Sequence, residues 1–208
     1  RFKLDETALY QVRGPVNLHR LDAVPNLVNR PDLMFQPYSP RPLLPSKSGK
    51  NAFRLFTRKK EAESLFVRIA KQDVLLHHPY DAFTPVIDFL NQASKDPDVL
   101  AIRMTLYRTG DKSAIIDALE RAAKNGKEVT AVVELRARFD EDNNIQQATR
   151  LQDAGVHVVY GVVGYKTHAK MILVVRREEG KLKHYVHLGT GNYHHITSRF
   201  YTDFGLFT

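Results

Sequence analysis

His168 and Lys170 stand two positions apart in Lys166-Thr167-His168-Ala169-Lys170, where the strand-forming run Met171 to Val175 begins. Residues i and i+2 of an extended chain point to one face, so the imidazole and the ammonium project together. An imidazole nitrogen can attack a phosphoryl group, and a fixed ammonium beside it can hold the charge that departs. Further along, Gly189-Thr190-Gly191-Asn192 forms a glycine-rich turn. Taken singly, each feature has an ordinary reading: a surface pair, or a turn in which glycine supplies positive φ and asparagine tolerates it. Their relative placement decides whether they amount to a phosphoryl-transfer site.

That placement depends on the elements between them. Strands at Val74–Leu76, Val99–Tyr107, Val129–Leu135 and Val156–Tyr160 alternate with helical patterns at Glu61–Ala70, Phe83–Ala93, around Ile115 to Ala123, and around Ile145 to Leu151. Leu100, Ile102, Met104 and Leu106 share one strand face, while Ile145, Ala148 and Leu151 share one helix face. Gly126 and Gly155 close two of the helices. Such alternation implies α/β architecture with parallel strands and packed helices. Arg108 lies just past one strand, Arg138 past the next, and His168 past the third, about thirty residues apart each time, the length of a βαβ unit. Right-handed crossovers bring those strand ends to one sheet edge, where ligands of open α/β sheets bind. A strand starting at His168 would run back antiparallel. Arg176 to Leu182, containing Gly180, reads as a hairpin turn, and His184 to Leu188 returns Asn192 and its glycines to the same edge.

Composition sets limits. The 208 residues suffice for one ordinary domain and a smaller module, with 43% hydrophobic and 26% charged residues. A net charge of +8 predicts an anionic partner without choosing among nucleotide, polyphosphate, nucleic acid and lipid headgroup. The absence of cysteine excludes disulfides and thiolate metal sites and fits a reducing compartment. No apolar run reaches the roughly 18 residues of a membrane span. The chain opens at Arg1 with neither an initiator methionine nor a signal-like segment, so a piece of a longer protein is expected. Pro15, Pro25, Pro31, Pro37, Pro40, Pro42 and Pro45 crowd the first fifty or so residues, which therefore read as an extended segment and connector. Ser46-Lys47-Ser48-Gly49-Lys50 lacks the earlier glycine of a phosphate loop, and Asn51 replaces its Ser/Thr, so a solvated basic loop is expected.

The other histidines have structural readings. His77 and His78 would face opposite ways in a strand and cannot readily share an ion. His157 and His187 fall within strands and are expected to be partly buried and satisfied. His194 and His195 follow the glycine turn, as helix-start or surface residues. Any metal is expected to be magnesium carried in on phosphate oxygens.

Leu76-His77-His78-Pro79-Tyr80-Asp81, Thr105-Leu106-Tyr107-Arg108, Glu134-Leu135-Arg136-Ala137-Arg138-Phe139-Asp140, Tyr165 to Lys170, His187-Leu188-Gly189-Thr190-Gly191-Asn192-Tyr193 and Tyr201-Thr202-Asp203-Phe204-Gly205 follow one another in this order, and the likeness they carry extends over nearly the whole chain. Leu9-Tyr10 and Gly14-Pro15-Val16-Asn17-Leu18 add to them. The series resembles polyphosphate kinase of the large bacterial type, whose catalytic domains are related to the phospholipase D superfamily. The resemblance implies a phospholipase D-like mixed sheet with helices on both faces, one half of a paired catalytic unit. Residues 55–208 would form the first catalytic domain, C-terminally truncated, and 1–54 the end of a preceding domain with a Pro-rich connector.

The implied activity is reversible transfer of the ATP γ-phosphate to polyphosphate through a phosphohistidine at His168, with Lys170 beside it. Arg108 and Arg138 would belong to a magnesium-phosphate site, acting through phosphate or water because a guanidinium cannot ligate a cation. Asn192 and Tyr201 would complete the phosphate and nucleotide contacts. Mg2+, ATP or ADP, and polyphosphate are the implied cofactor and substrates. No nucleic acid is expected. Self-association of the longer parent and a cytoplasmic location, with peripheral membrane contact allowed, also follow from the resemblance.

The phospholipase D signature has aspartate five positions after the lysine, where this chain has Val175. That weakens the rival reading as a phosphodiesterase or phosphatidyltransferase. The sequence has one His-x-Lys where the family pairs two catalytic halves, so this chain alone is expected to be weak or inactive. A third reading is a non-catalytic polyanion-binding module, whose binding would ignore His168 and fall steeply with salt.

Overall fold

The computed structural model of the chain describes residues 5–14, 16–35, 38–43, 64–108, 113–134, 141–161 and 164–208. Arg138, the basic loop Ser46–Asn51, the expected boundary at 54/55 and the first residues of the helix expected from Glu61 lie outside them. Two compact units are present, Arg1–Tyr38 and Ser39–Thr208.

In the first unit, 3-10 turns at Glu6–Ala8, Leu18–Ala23 and Pro31–Leu33 accompany a four-residue helix α1, Val24–Leu27. The sequence reading expects an extended segment here, and the described residues instead make short helical turns. Proline's fixed φ suits the first helical turn, where Pro25 and Pro31 stand. The Asp5 carboxylate caps the first turn by accepting from the amides of Thr7 and Ala8.

The second unit is a mixed sheet with helices, as expected. Its elements are α2 Leu65–Lys71, β1 Val74–His78, α3 Thr84–Lys95, β2 Val99–Leu106, α4 Ala114–Lys124, β3 Glu128–Val133, α5 Glu141–Asp153, β4 His157–Tyr160, β5 Lys170–Glu178, β6 Lys181–Gly189 and β7 Asp203–Phe207. The seven strands run in the order β1-β7-β6-β5-β2-β3-β4. β2, β3 and β4 are mutually parallel, while β5 is antiparallel to β2 and to β6, and β7 is antiparallel to both β6 and β1. The C-terminal ends of β1, β2, β3, β4 and β6 therefore share one edge with the N-terminal ends of β5 and β7. This is the edge on which the sequence reading gathers its chemistry.

α2 to α5 pack on the face that carries Leu76, Ile102, Met104, Ile172, Tyr185 and Phe207, forming one core. Phe89 of α3 meets Phe207 edge-on at 5.4 Å between centroids, and Phe66 of α2 meets Tyr185 at 4.9 Å. Right-handed crossovers between strands added in one direction keep the intervening helices on one side. The resemblance implies helices on both faces; on the opposite face, Leu75, Met171, Leu188 and Phe204 remain exposed among the described residues.

Three local patterns differ from the sequence reading. Leu100 is half-buried, out of phase with buried Ile102, Met104 and Leu106, because the β2–β5 register shifts between Val99 and Ala101. Ile145 is 51% exposed, and α5 instead buries Asn144, Gln147, Ala148 and Leu151. The helix turns this way because Asn144 Nδ2 serves two strand-end carbonyls, Tyr107 O and Glu134 O, each at 2.9 Å. Finally, the hairpin turn is only Glu179-Gly180, with φ of 51° and 77°, so Arg176 and Leu182 lie within strands. A two-residue turn with both central residues at positive φ matches the twist of the strands it joins.

Candidate active site

His168 sits just before β5, on an exposed stretch that leaves the end of β4. Lys170, the first residue of β5, points to the helix-covered side and is only 6% exposed. Its Nζ lies 3.1 Å from His168 Nδ1 and 3.0 Å from Nε2, so the ammonium sits over the ring, against both nitrogens. Tyr107, at the end of β2, packs edge-on against His168 with centroids 4.9 Å apart. The same ring has Lys170 Nζ 5.2 Å and Arg108 Cζ 5.5 Å from its centroid. An aromatic ring thus gathers two cations beside the imidazole through its negative face.

The electrostatics favour a neutral His168. Its pKa is lowered, first by desolvation and then by the charges of Lys170, Lys166 and Arg108. Burial also lowers Lys170, against the upward pull of Asp203, with Arg108 lowering it further. An unprotonated ring nitrogen beside fixed positive charges can act as a nucleophile toward an anion drawn to them.

The glycine turn arrives from the other side. Lys170 pairs with Gly189, and Gly189 with Gly205, so β5, β6 and β7 bring these positions into one row. Thr190 ties the turn to β7: its hydroxyl donates to Asp203 Oδ1 at 2.9 Å and accepts from the Phe204 amide at 2.9 Å. Gly191 is required by a close approach, since a Cβ there would lie 2.5 Å from Asp203 Cγ. Asn192 Oδ1 is buried and has no hydrogen-bond partner among the described residues. Tyr201 lies farther along the same edge, two residues before β7, and is 63% exposed next to Phe200.

The structure therefore brings His168, Lys170 and Arg108 together, sets Asn192 on the adjoining turn, and leaves Tyr201 exposed at the edge. Among the other histidines, His77 stacks on Phe204 while His78 is buried with Nδ1 2.8 Å from Asp81 O, on opposite faces as expected. His187 is buried against Tyr193, whose hydroxyl is 2.9 Å from Nδ1, and desolvation pushes its pKa down to about 3. His157, expected to be partly buried, is exposed because β4 is an edge strand. His194 Nδ1 accepts from the Ile196 and Thr197 amides, the helix-start role expected of it.

The described residues offer no all-protein cage for a metal ion. They contain no group of three His, Cys, Asp or Glu placed to hold an ion, and the Arg108 guanidinium can only donate. Sequence reasoning also assigned no role to Tyr107, Thr105, Glu134 or Asn144. Two of these lie in the motif segments Thr105-Leu106-Tyr107-Arg108 and one opens Glu134-Leu135-Arg136-Ala137-Arg138; the signal was position beside a strand end, without a spacing rule to read it by.

The family model for polyphosphate kinase C-terminal domain 1 matches residues 64–208. The chain is 56% identical over 208 residues to a polyphosphate kinase of Neisseria meningitidis serogroup A and 57% identical to one of Pseudomonas aeruginosa, covering 100% of this chain and 28% of each relative. A polyphosphate kinase structure from Porphyromonas gingivalis superposes with a TM-score of 0.62 at 41% identity, covering 71% of this chain and 25% of that one. The phospholipase D family member Nuc of Salmonella typhimurium shares the fold, with a TM-score of 0.50 at 18% identity over 65% of this chain and 81% of that one.

Proposed function

This chain belongs to the polyphosphate kinase family, and on that premise we propose that it carries the phosphoryl-accepting part of an ATP–polyphosphate phosphotransferase site, with His168 as the acceptor. The supporting observation is the Lys170 ammonium 3.0–3.1 Å from both nitrogens of a histidine whose pKa is lowered.

In the forward direction a neutral His168 nitrogen attacks the γ-phosphorus of ATP. The P–N bond forms as the bond to the β,γ-bridging oxygen breaks, and that electron pair leaves with ADP. The proton on the second ring nitrogen stays in place. Lys170 and Arg108 offset the charge spread over the equatorial oxygens, which is where phosphoryl transfer needs positive groups. A terminal oxygen of polyphosphate then attacks the phosphohistidine, the P–N pair returns to the ring, and the chain is longer by one phosphate. Run backward from ADP, the same steps make ATP.

In this reading Arg138 and Asn192 add phosphate contacts and Tyr201 borders the nucleotide. Magnesium enters with the nucleotide as part of the substrate, on its phosphate oxygens. The chain spans 28% of the length of its polyphosphate kinase relatives, and in this reading residues outside it complete the site. A cytoplasmic, self-associating enzyme with peripheral membrane contact belongs to the same proposal. Among the described residues no helix is long and apolar enough to cross a membrane.

A covalent intermediate predicts exchange of label between ADP and ATP without polyphosphate. A full-length kinase carrying this sequence is expected to catalyse that exchange, and its His168→Ala variant to lose it. Exchange that persists in the variant, or is absent from the parent while net transfer proceeds, contradicts the phosphohistidine route.

A further inference from the structure

His168 lies outside any strand or helix, yet transfer requires its ring to be held to within a fraction of an ångström. Its backbone is held by two side chains that belong to neighbouring strands. Before His168, the Thr167 amide donates to Glu134 Oε2 at 2.8 Å. After it, the Thr105 hydroxyl donates to Ala169 O at 2.6 Å and accepts from the Met171 amide at 3.1 Å. These contacts bracket His168 and span Lys170.

Each group is placed for this by the sheet. The β2–β5 ladder runs as far as Met104 and Ile172, and the next residue of β2, Thr105, carries the pairing on with its side chain. Glu134 extends β3 by one residue: its amide donates to Leu106 O at 2.9 Å, and its carbonyl accepts from buried Asn144 at 2.9 Å. Glu134 is then only 5% exposed, with Thr167 and the Gly161 backbone at the end of β4 beside its carboxylate. Burying a carboxylate is costly unless it is hydrogen-bonded, so its contact with the Thr167 amide is a built feature of the site.

We propose that Glu134 and Thr105 are positioning residues, which fix the backbone on both sides of His168 and so set its ring against Lys170. Neither need touch the phosphate. The assignment of catalytic value to this ring rests on the function proposed above, but the positioning can be read independently.

The test uses a full-length polyphosphate kinase carrying this sequence, in two variant pairs. Glu134→Ala removes the acceptor and Glu134→Gln keeps an oxygen for the Thr167 amide; Thr105→Val removes both hydroxyl contacts and Thr105→Ser keeps them. In single turnovers with labelled ATP, Glu134→Ala and Thr105→Val are expected to slow His168 phosphorylation by about 10- to 100-fold at saturating ATP, as misplacement of a reacting group by about 1 Å does. The KM for ATP is expected to stay within about twofold, because the nucleotide contacts are untouched. Glu134→Gln and Thr105→Ser are expected to restore most of the rate.

The second readout is the His168 ring titration by NMR. It should move toward that of an ordinary histidine in Glu134→Ala and Thr105→Val, and remain as in the parent in the conservative variants. If the parent is not labelled at His168 but the titration follows this pattern, the function is wrong and the positioning stands. If Glu134→Gln fails as badly as Glu134→Ala, or if both removals leave rate and titration unchanged, the proposal is overturned. Loss of Glu134→Ala to misfolding leaves the threonine pair to decide by the same two criteria.

Discussion

At the scale of single residues, the chemistry proposed for His168 depends on surroundings that favour its neutral ring. Desolvation and the charges of Lys170, Lys166 and Arg108 all oppose its protonation, so the reactive form persists below the pH at which a free imidazole would protonate. The phosphorylation rate should therefore fall only as pH drops through a midpoint below the ordinary 6.5. Lys170→Met removes one of those charges. The His168 midpoint should rise toward its ordinary value, which NMR titration of the ring would read, and the acid limb of the rate profile should move to higher pH with it. The rate itself should fall by about 10²- to 10³-fold, the cost of losing one donor to a developing anion. An unmoved midpoint would mean that the ammonium does not sit against the ring. This pair was legible in the sequence because i and i+2 share a face in extended chain. Glu134 and Thr105 were not, since their contacts span 33 and 64 positions and follow from strand register alone.

Among the elements, the glycine turn after β6 shows how close packing fixes a site. Gly191 lies so near Asp203 that a Cβ would fall 2.4 Å from its Oδ2. Gly191→Ala should push the turn off β7, break the Thr190–Asp203 bond, and cost about 1–3 kcal/mol, as forced overpacking does. Its check is a lowered thermal midpoint together with increased hydrogen exchange at the Thr190 and Phe204 amides. A midpoint and exchange pattern equal to the parent would show that the turn has room. Asn144→Ala tests the opposite end of the edge. Losing two buried bonds to Tyr107 O and Glu134 O should cost about 1–3 kcal/mol, with exchange rising first at the ends of β2 and β3. Alternation of strands and helices made the shared edge legible in the sequence. Periodicity misled at Ile145 because a polar residue, Asn144, takes the buried position for the sake of its hydrogen bonds.

For the whole molecule, the buried face must remain intact as pH changes. His187 is neutral in the fold with a pKa of about 3, whereas an unfolded histidine protonates near 6.5. Acid therefore favours the unfolded chain progressively from pH 6.5 down to about 3, and His187 should be a main source of that loss. Glu178, held at about 2 by the Tyr185 hydroxyl, Lys183 and Arg176, contributes stability above 4.5 that fades as pH falls toward 2. Denaturation midpoints measured between pH 7 and 4 should decline less steeply in His187→Gln than in the parent; parallel declines would mean that the buried ring is not the sensitive group. The order of strands in the mixed sheet was beyond the sequence, because it depends on long-range pairing of β1 with β7 across the chain. Composition did read the +8 charge that predicts an anionic partner without choosing it, and the sheet edge gathers part of that charge, Arg108, Lys166 and Lys170, around His168.

The phosphoryl group proposed for His168 can be trapped on the protein. A full-length kinase carrying this sequence is mixed with magnesium and γ-labelled ATP, quenched in base, digested and mapped by mass spectrometry. Acid-labile, base-stable label is expected on His168, absent in His168→Ala and discharged to ATP by added ADP. Label that maps to another residue, or a parent that elongates polyphosphate with no label on His168, would contradict the proposal.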